Sequence, residues 1–254
     1  TTPPAIAPPV ALADVTLLAP IRRPPAIRDF YAFEEHVRTA RAGRGLDMDP
    51  DWYALPVFYF SNPHTVVGPD AEVVAPATAE LDYELEVAAV VGVEATDLSP
   101  AQARDAIVGY TVFNDFSARD VQRREMRLGL GPAKGKDFAS ALGPFLVTPD
   151  ELDGTVERPA ATMVARVNGV EWSRGDLADL HHPFPALIAY ASRDARVRAG
   201  DVIGSGTVGS GCILELSLRF GAQRYPYLRA GDVVELEVAG IGTLRNRIVA
   251  RPSA

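Results

Sequence analysis

With a single cysteine, Cys212, among 254 residues, the chain cannot close an internal disulfide. Nothing in its composition calls for an oxidising compartment, and a cytoplasmic setting is expected. No apolar run approaches the roughly 20 residues that a membrane span needs. The start, TTPPAIAPPVALAD, lacks the charged and apolar regions of a signal peptide and reads as an extended arm. Positive charge is scarce: 25 Lys and Arg stand against 33 Asp and Glu, a formal charge of -8. The basic residues are scattered rather than gathered into a stripe, so nucleic acid is not an expected partner. Internal repeats and long low-complexity linkers are also missing. With 47% hydrophobic residues, the chain can bury one substantial core. One domain over residues 21–254 is expected, preceded by an arm over residues 1–20 that carries a first strand.

What is present is mostly strand-like. VTLLAP reads as a short strand, and Pro24 and Pro25 then hold the chain extended. In DFYAFEEHVRTARAGRG the spacing of Phe30, Phe33, Val37 and Ala40 predicts a helix, capped by Asp29 and ended by Gly43 or Gly45. VFYFSNPHTVVG reads as strand, turn, strand, and DYELEVAAVVGV as a strand passing from a lined cavity into a core. SPAQARDAIVG is a short helix with Ser99 at its cap and Pro100 at its first position. The strand YTVFND runs into the helical SARDVQRREMR, where Ser117 and Asp120 have capping-box spacing. After the glycine-rich GLGPAKGKDF come short strands: GPFLVT, ATMVARVNGV, DVIGSGTVG, CILELSLRF and the hairpin DVVELEVAGIGTLRNRIV. One helix, from about Pro185 to Ser192, interrupts them. The expected class is mainly β (α+β): a mixed-β sandwich or roll with a few short peripheral helices.

Several polar residues could carry chemistry. In a strand, Asp82, Glu84 and Glu86 share one face. Their mutual repulsion is tolerable in a recess if a hard cation neutralises it, and an all-oxygen set suits Mg²⁺, Mn²⁺ or Ca²⁺ over Zn²⁺. An edge strand with a solvated acidic face satisfies the same pattern. Asp115 ends an apolar strand where a helix begins, a place for a ligand and equally for a turn residue. Arg119 and Gln122, three apart, share a helix face that either binds a substrate carboxylate or meets solvent. Lys136 either sets positive charge beside an oxyanion or is a surface lysine. His36, one of only four histidines, falls seven residues after Asp29 and is a candidate general base or a helix-surface residue. His181 and His182 have no acidic partner at ligand spacing and are left unassigned.

Taken together and in order, DFYAFEEH, LPVFYF, DYELEV, FNDFSARDVQ, GKDF, GT and LELS resemble the catalytic domain of fumarylacetoacetate hydrolases from about Asp29 to Leu218. The resemblance implies that Glu84, Glu86 and Asp115 are metal ligands, with Asp29 as a fourth. It makes His36 the general base and Glu215 its acidic partner. Arg119, Gln122 and Lys136 match residues that bind substrate oxygens and stabilise negative charge, and Tyr31, Tyr59 and Thr207 match substrate contacts. It also implies a mixed-β roll, a homodimer, and a small 2-oxo acid or β-diketone substrate such as those of aromatic catabolism.

Departures from the family pattern accompany these matches. The chain is short for the full-length hydrolases, which carry a separate amino-terminal domain. His36 is followed by Val37, Arg38 and Thr39, so no Glu stands three residues on and its partner is read as Glu215. Gly45, next to Arg44, occupies a position where a substrate arginine is looked for. The expected reaction is metal-dependent hydrolysis of a carbon–carbon bond through an enolate. Decarboxylation, isomerisation or hydration on the same platform is the alternative within enzymes. A non-catalytic module keeping a structural metal is the alternative outside them.

Overall fold

The computed structural model describes residues 10–252. Its larger strands, in chain order, are β1 (Ile27–Phe30), β2 (Phe58–Ser61), β3 (Val66–Val67), β4 (Glu72–Val74), β5 (Leu85–Val91), β6 (Ile107–Asp115), β7 (Ser140–Val147), β8 (Thr162–Val167), β9 (Val170–Asp176), β10 (Val202–Gly204), β11 (Val233–Val238) and β12 (Gly242–Val249). They form a 7-stranded sheet in the order β2-β1-β10-β5-β6-β7-β3 and a 5-stranded sheet in the order β9-β8-β11-β12-β4. Both are mixed. In the larger sheet β1 runs parallel to β10 and β7 parallel to β3, while the other neighbours are antiparallel. The mainly-β architecture is the one the sequence predicts.

The apolar pattern explains the layering. Every residue of β5 is buried, as suits a strand enclosed between β10 and β6 with both faces covered. The smaller sheet alternates instead: Val234, Leu236 and Val238 of β11 and Leu244 and Ile248 of β12 turn inward. They join Val87, Tyr110, Val112, Met163 and Phe184 in one cluster between the sheets. Burial of each such aliphatic side chain stabilises the fold by about 1.5–3 kcal/mol. Asn168 and Gly169, both with positive φ, make the two-residue turn between β8 and β9.

Six helices flank the described sheets: α1 (Glu34–Ala42), α2 (Pro50–Ala54), α3 (Pro100–Asp105), α4 (Arg119–Arg127), α5 (Phe184–Ser192) and α6 (Ile213–Phe220). The predicted cap of α3 forms as a capping box between Ser99 and Gln102. Among the described residues no helix is long and apolar enough to cross a membrane.

Four local expectations are corrected. Residues 1–9 of the expected arm lie outside the described residues. In the remainder VTLLAP forms no strand, because no neighbour pairs with it and Val15 and Leu18 are left exposed. The first helix begins at Glu34, not at Asp29; pairing with β2 and β10 draws Asp29 and Phe30 into β1. The seven-residue spacing of Asp29 and His36 therefore runs from a strand into a helix. Ser117 and Asp120 make no capping box. Ser117 pairs across to Asp82, and Asp120 accepts from Thr78 and the Ala79 amide. Lastly, CILELSLRF is not a strand but α6, and its position decides the site.

Candidate active site

Asp29, on β1, meets residues from distant parts of the chain because of sheet register. The parallel pairing with β10 sets it opposite Gly204. A Cβ at Gly204 would stand 2.2 Å from Asp29 Oδ1, so only glycine leaves room for that carboxylate. Just beyond β10, the Gly206 amide donates to the same oxygen at 3.2 Å. Glu84 and Glu86 lie at the start of β5, two residues apart, and both line one cleft, as strand alternation predicts. Asp115 ends β6, the strand beside β5. Oxygens of Asp29, Glu84 and Asp115 come within 4.8 Å of one another, all buried. Glu86 stands beside this trio, accepting from Thr207 Oγ1 at 3.3 Å.

Asp82 departs from the expected shared face. Its two carboxylate oxygens accept from the Ile213 and Leu214 amides at 2.7 and 3.0 Å, at the start of α6, and from Arg119 Nε at 2.7 Å. A carboxylate on the first amides of a helix satisfies donors that have no partner inside it and complements the helix dipole. ILELSLRF alternates as a strand would, but it is helical, and this contact between distant segments stabilises its first turn. As a result Glu215 sits on the first turn of α6.

There Glu215 Oε2 lies 2.8 Å from His36 Nδ1, both side chains being buried. Its other oxygen accepts from the Ser210 amide at 3.1 Å. The edge of Tyr31 packs on the His36 ring with centroids 5.3 Å apart, and Trp52 Nε1 holds the Tyr31 carbonyl at 2.8 Å. His36, Tyr31, Tyr59, Arg119, Gln122, Lys136 and Thr207 all line the same cleft as Asp29, Glu84 and Glu86, a space of about 410 Å³. His181 and His182 do not line it; His182 Nε2 contacts the Trp52 carbonyl at 2.8 Å.

Two cations are built into this acidic centre. Lys136 Nζ donates to Asp115 Oδ2 at 2.7 Å and to Glu84 Oε2. Arg119 Nη2 donates to Glu84 Oε1 at 2.8 Å and Nη1 to Gln122 at 3.0 Å, so Arg119 is already engaged by the protein on several sides. The Tyr59 hydroxyl lies between two carboxylates, 3.0 Å from Asp29 Oδ2 and also in contact with Asp115, with one proton to donate between them. Burial pushes Glu84 up, but Lys136 and then Arg119 outweigh it and hold the carboxyl below the usual range. Burial, and then Asp115, raise Asp29 to about 7. Burial with the charges of Asp29 and Glu84 raises Glu86 far above an ordinary carboxyl. Glu215 stays below its ordinary value: burial works against this, but His36 beside it prevails.

The donor set fits a hard divalent cation. Asp115 Oδ1 and Glu86 Oε2 are buried without any hydrogen-bond partner. Lys136 and Arg119 do not offset the carboxylates of Asp29, Asp82, Glu84, Glu86 and Asp115 gathered around them. Oxygen-only donors and residual negative charge are what Mg²⁺, Mn²⁺ or Ca²⁺ require.

Comparison with known proteins gives the family. Residues 26–249 match the family model described as fumarylacetoacetate (FAA) hydrolase C-terminal. The chain belongs to that family. Among relatives in the fumarylacetoacetate hydrolase family, oxaloacetate tautomerase YisK of Bacillus subtilis is 32% identical over 245 residues, covering 94% of this chain and 74% of the relative. A 4-hydroxyphenylacetate degradation bifunctional isomerase/decarboxylase of Escherichia coli is 32% identical over 200 residues, where the chain spans only 42% of the relative's length. The fumarylacetoacetate hydrolase of Exiguobacterium antarcticum superposes with a TM-score of 0.77 at 29% identity, covering 96% of this chain and 81% of that one.

Sequence reading missed two features of the site. Cys212, 3.5 Å from Glu215 Oε2, gave no motif. The apolar wall of Val57, Phe58, Met126, Leu214 and Leu218 comes from separate segments that no local pattern joins.

Proposed function

We propose that this chain is a divalent-metal-dependent enzyme that hydrolyses a carbon–carbon bond in a small β-diketone or acylpyruvate-type 2-oxo acid. The observation that carries the reading is His36, held from behind by buried Glu215, on the cleft that Asp29 and Glu84 of the carboxylate trio also line. Asp29, Glu84 and Asp115, with Glu86 adjoining, are the proposed ligands, and Mg²⁺ the proposed ion, with Mn²⁺ or Ca²⁺ accepted by the same oxygens. Bound there, the ion would supply Lewis acidity toward the neighbouring oxygens of a dicarbonyl.

The protein's own groups do the rest. Glu215 fixes the His36 ring through Nδ1, leaving Nε2 to take a proton from water. Hydroxide adds to the acyl carbonyl, the carbon–carbon bond breaks, and its electron pair passes toward the 2-oxo oxygen. His36 then returns its proton to the departing carbon. Lys136 and Gln122 hold the oxygen that gains charge, Arg119 holds Glu84 in place and, with Tyr31, Tyr59 and Thr207, borders the substrate. The apolar wall receives the acyl portion. A homodimer in the cytoplasm, where the Cys212 thiol stays reduced, completes the proposal.

A second reading, tautomerisation or decarboxylation of a 2-oxo acid such as oxaloacetate, is favoured by the likeness to the Bacillus tautomerase over 94% of the chain. A panel of acylpyruvates, β-diketones and oxaloacetate, assayed with and without Mg²⁺ or Mn²⁺, separates the two. Metal-dependent cleavage of an acylpyruvate that His36→Ala abolishes supports hydrolysis. Turnover of oxaloacetate alone, undiminished in His36→Ala, overturns it in favour of the second reading.

A further inference from the structure

Behind the cleft lies a second constellation of different chemistry. An imidazole nitrogen of His36, Cys212 Sγ and a carboxylate oxygen of Glu215 lie within 4.8 Å of one another, all three residues being buried. Glu215 Oε2 is the meeting point, with Nδ1 at 2.8 Å and Sγ at 3.5 Å. We propose that His36, Cys212 and Glu215 form an inhibitory site for a thiophilic divalent cation, Zn²⁺ or Cd²⁺, distinct from the oxygen-lined site of Asp29, Glu84 and Asp115.

Geometry and donor type support it. Tetrahedral zinc with nitrogen, sulfur and oxygen ligands places those atoms roughly 3.3–3.6 Å apart. The Sγ to Oε2 separation already has that value, and the His36 contact has to open by only about half an ångström. Thiolate and imidazole favour borderline and soft cations, whereas carboxylates alone favour hard ones. One chain thus offers two neighbouring sites of opposite preference. The Ser210 amide on Glu215 Oε1 supplies the outer contact that orients a ligand. A water on the cleft side would complete the four.

Charge and protons balance. The Cys212 proton leaves to solvent, the imidazole proton moves from Nδ1 to Nε2, and the cation faces two anionic ligands and one neutral one. His36 then has its Nδ1 lone pair on the metal and a proton on Nε2, so it has no free pair with which to take a proton from water. Binding does not depend on the proposed reaction; arrest of activity rests on His36 being its base.

The test uses the full chain loaded with Mg²⁺ and titrated with Cd²⁺. A thiolate-to-cadmium charge-transfer absorption saturating at one equivalent is expected, lost in Cys212→Ser and Cys212→Ala. In activity assays those variants, each compared with its own zinc-free rate, should need about tenfold or more Zn²⁺ for half-inhibition than the wild type. No absorption in the wild type overturns the site. Equal Zn²⁺ sensitivity in folded cysteine variants, relieved by excess Mg²⁺, also overturns it and locates the effect at the carboxylates. Should both variants fail to fold, cadmium NMR of the wild type decides: a thiolate-shifted resonance supports the site, and an all-oxygen resonance overturns it.

Discussion

Asp29 and Gly204 face each other across parallel strands, and the missing side chain of Gly204 is the space that the Asp29 carboxylate fills. Gly204→Ala should therefore displace Asp29 and press on Phe113, whose ring lies 2.8 Å from the same Cβ position. A loss of about 1–3 kcal/mol in stability is expected, with clearly weaker Mg²⁺ binding. Thermal denaturation and calorimetric titration measure both, and unchanged Mg²⁺ affinity would show that Asp29 is no ligand.

Glu215→Gln keeps a side chain of the same shape beside His36 but removes its charge. Because Glu215 does not line the cleft, KM should change little while kcat falls by about 10²-fold or more. Steady-state kinetics on whichever acylpyruvate is cleaved checks this. A large rise in KM with kcat intact would assign Glu215 to substrate binding instead.

The raised Asp29 carboxyl sets a pH dependence whose sign can be worked out. In the folded metal-free protein it titrates at about 7 against an ordinary 3.8, so between those values the folded state holds more protons than the unfolded one. Its contribution to stability is full below the lower value and lost as pH rises through the upper one. A divalent ion needs the carboxylate, so binding releases protons and tightens as pH rises toward 7. Calorimetry in two buffers of different ionisation enthalpy should detect that release near pH 6. In the absence of metal, the stability of the wild type relative to Asp29→Asn should decline from acid to neutral pH, and a flat difference would refute the shift.

Asp82→Ala strips Arg119 and the first amides of α6 of a buried anionic partner at once. Removing one partner of a buried ion pair costs about 3–5 kcal/mol, and urea denaturation should show a loss of that order. A change below about 1 kcal/mol would mean that water or Glu84 takes over the role.

Much of this was legible in the sequence. The alternation around Glu84 and Glu86, the strand-end position of Asp115 and the cap at Ser99 follow from local rules, and the structure repeats them. The motif order placed Glu215 with His36 across most of the chain, and the two meet. What was illegible depended on distant contacts. Asp29 was read as a helix cap because Phe30, Phe33 and Val37 have helical spacing, yet pairing with β10 turned its segment into strand. LELS alternates like a strand, yet it is a helix whose first amides are held by Asp82, more than a hundred residues earlier. Cys212 belongs to no pattern and is noticed only from its distance to Glu215.

The parallel register of β1 on β10 has a consequence for biosynthesis. Asp29 leaves the ribosome well before the strand that aligns it and the Gly206 amide that orients it. A nascent chain cannot gather its carboxylates until that late segment has joined the sheet. Such long-range closure is slow, so an ion captured there would come after the fold rather than guide it, and its uptake could serve as a clock for the last stage of maturation.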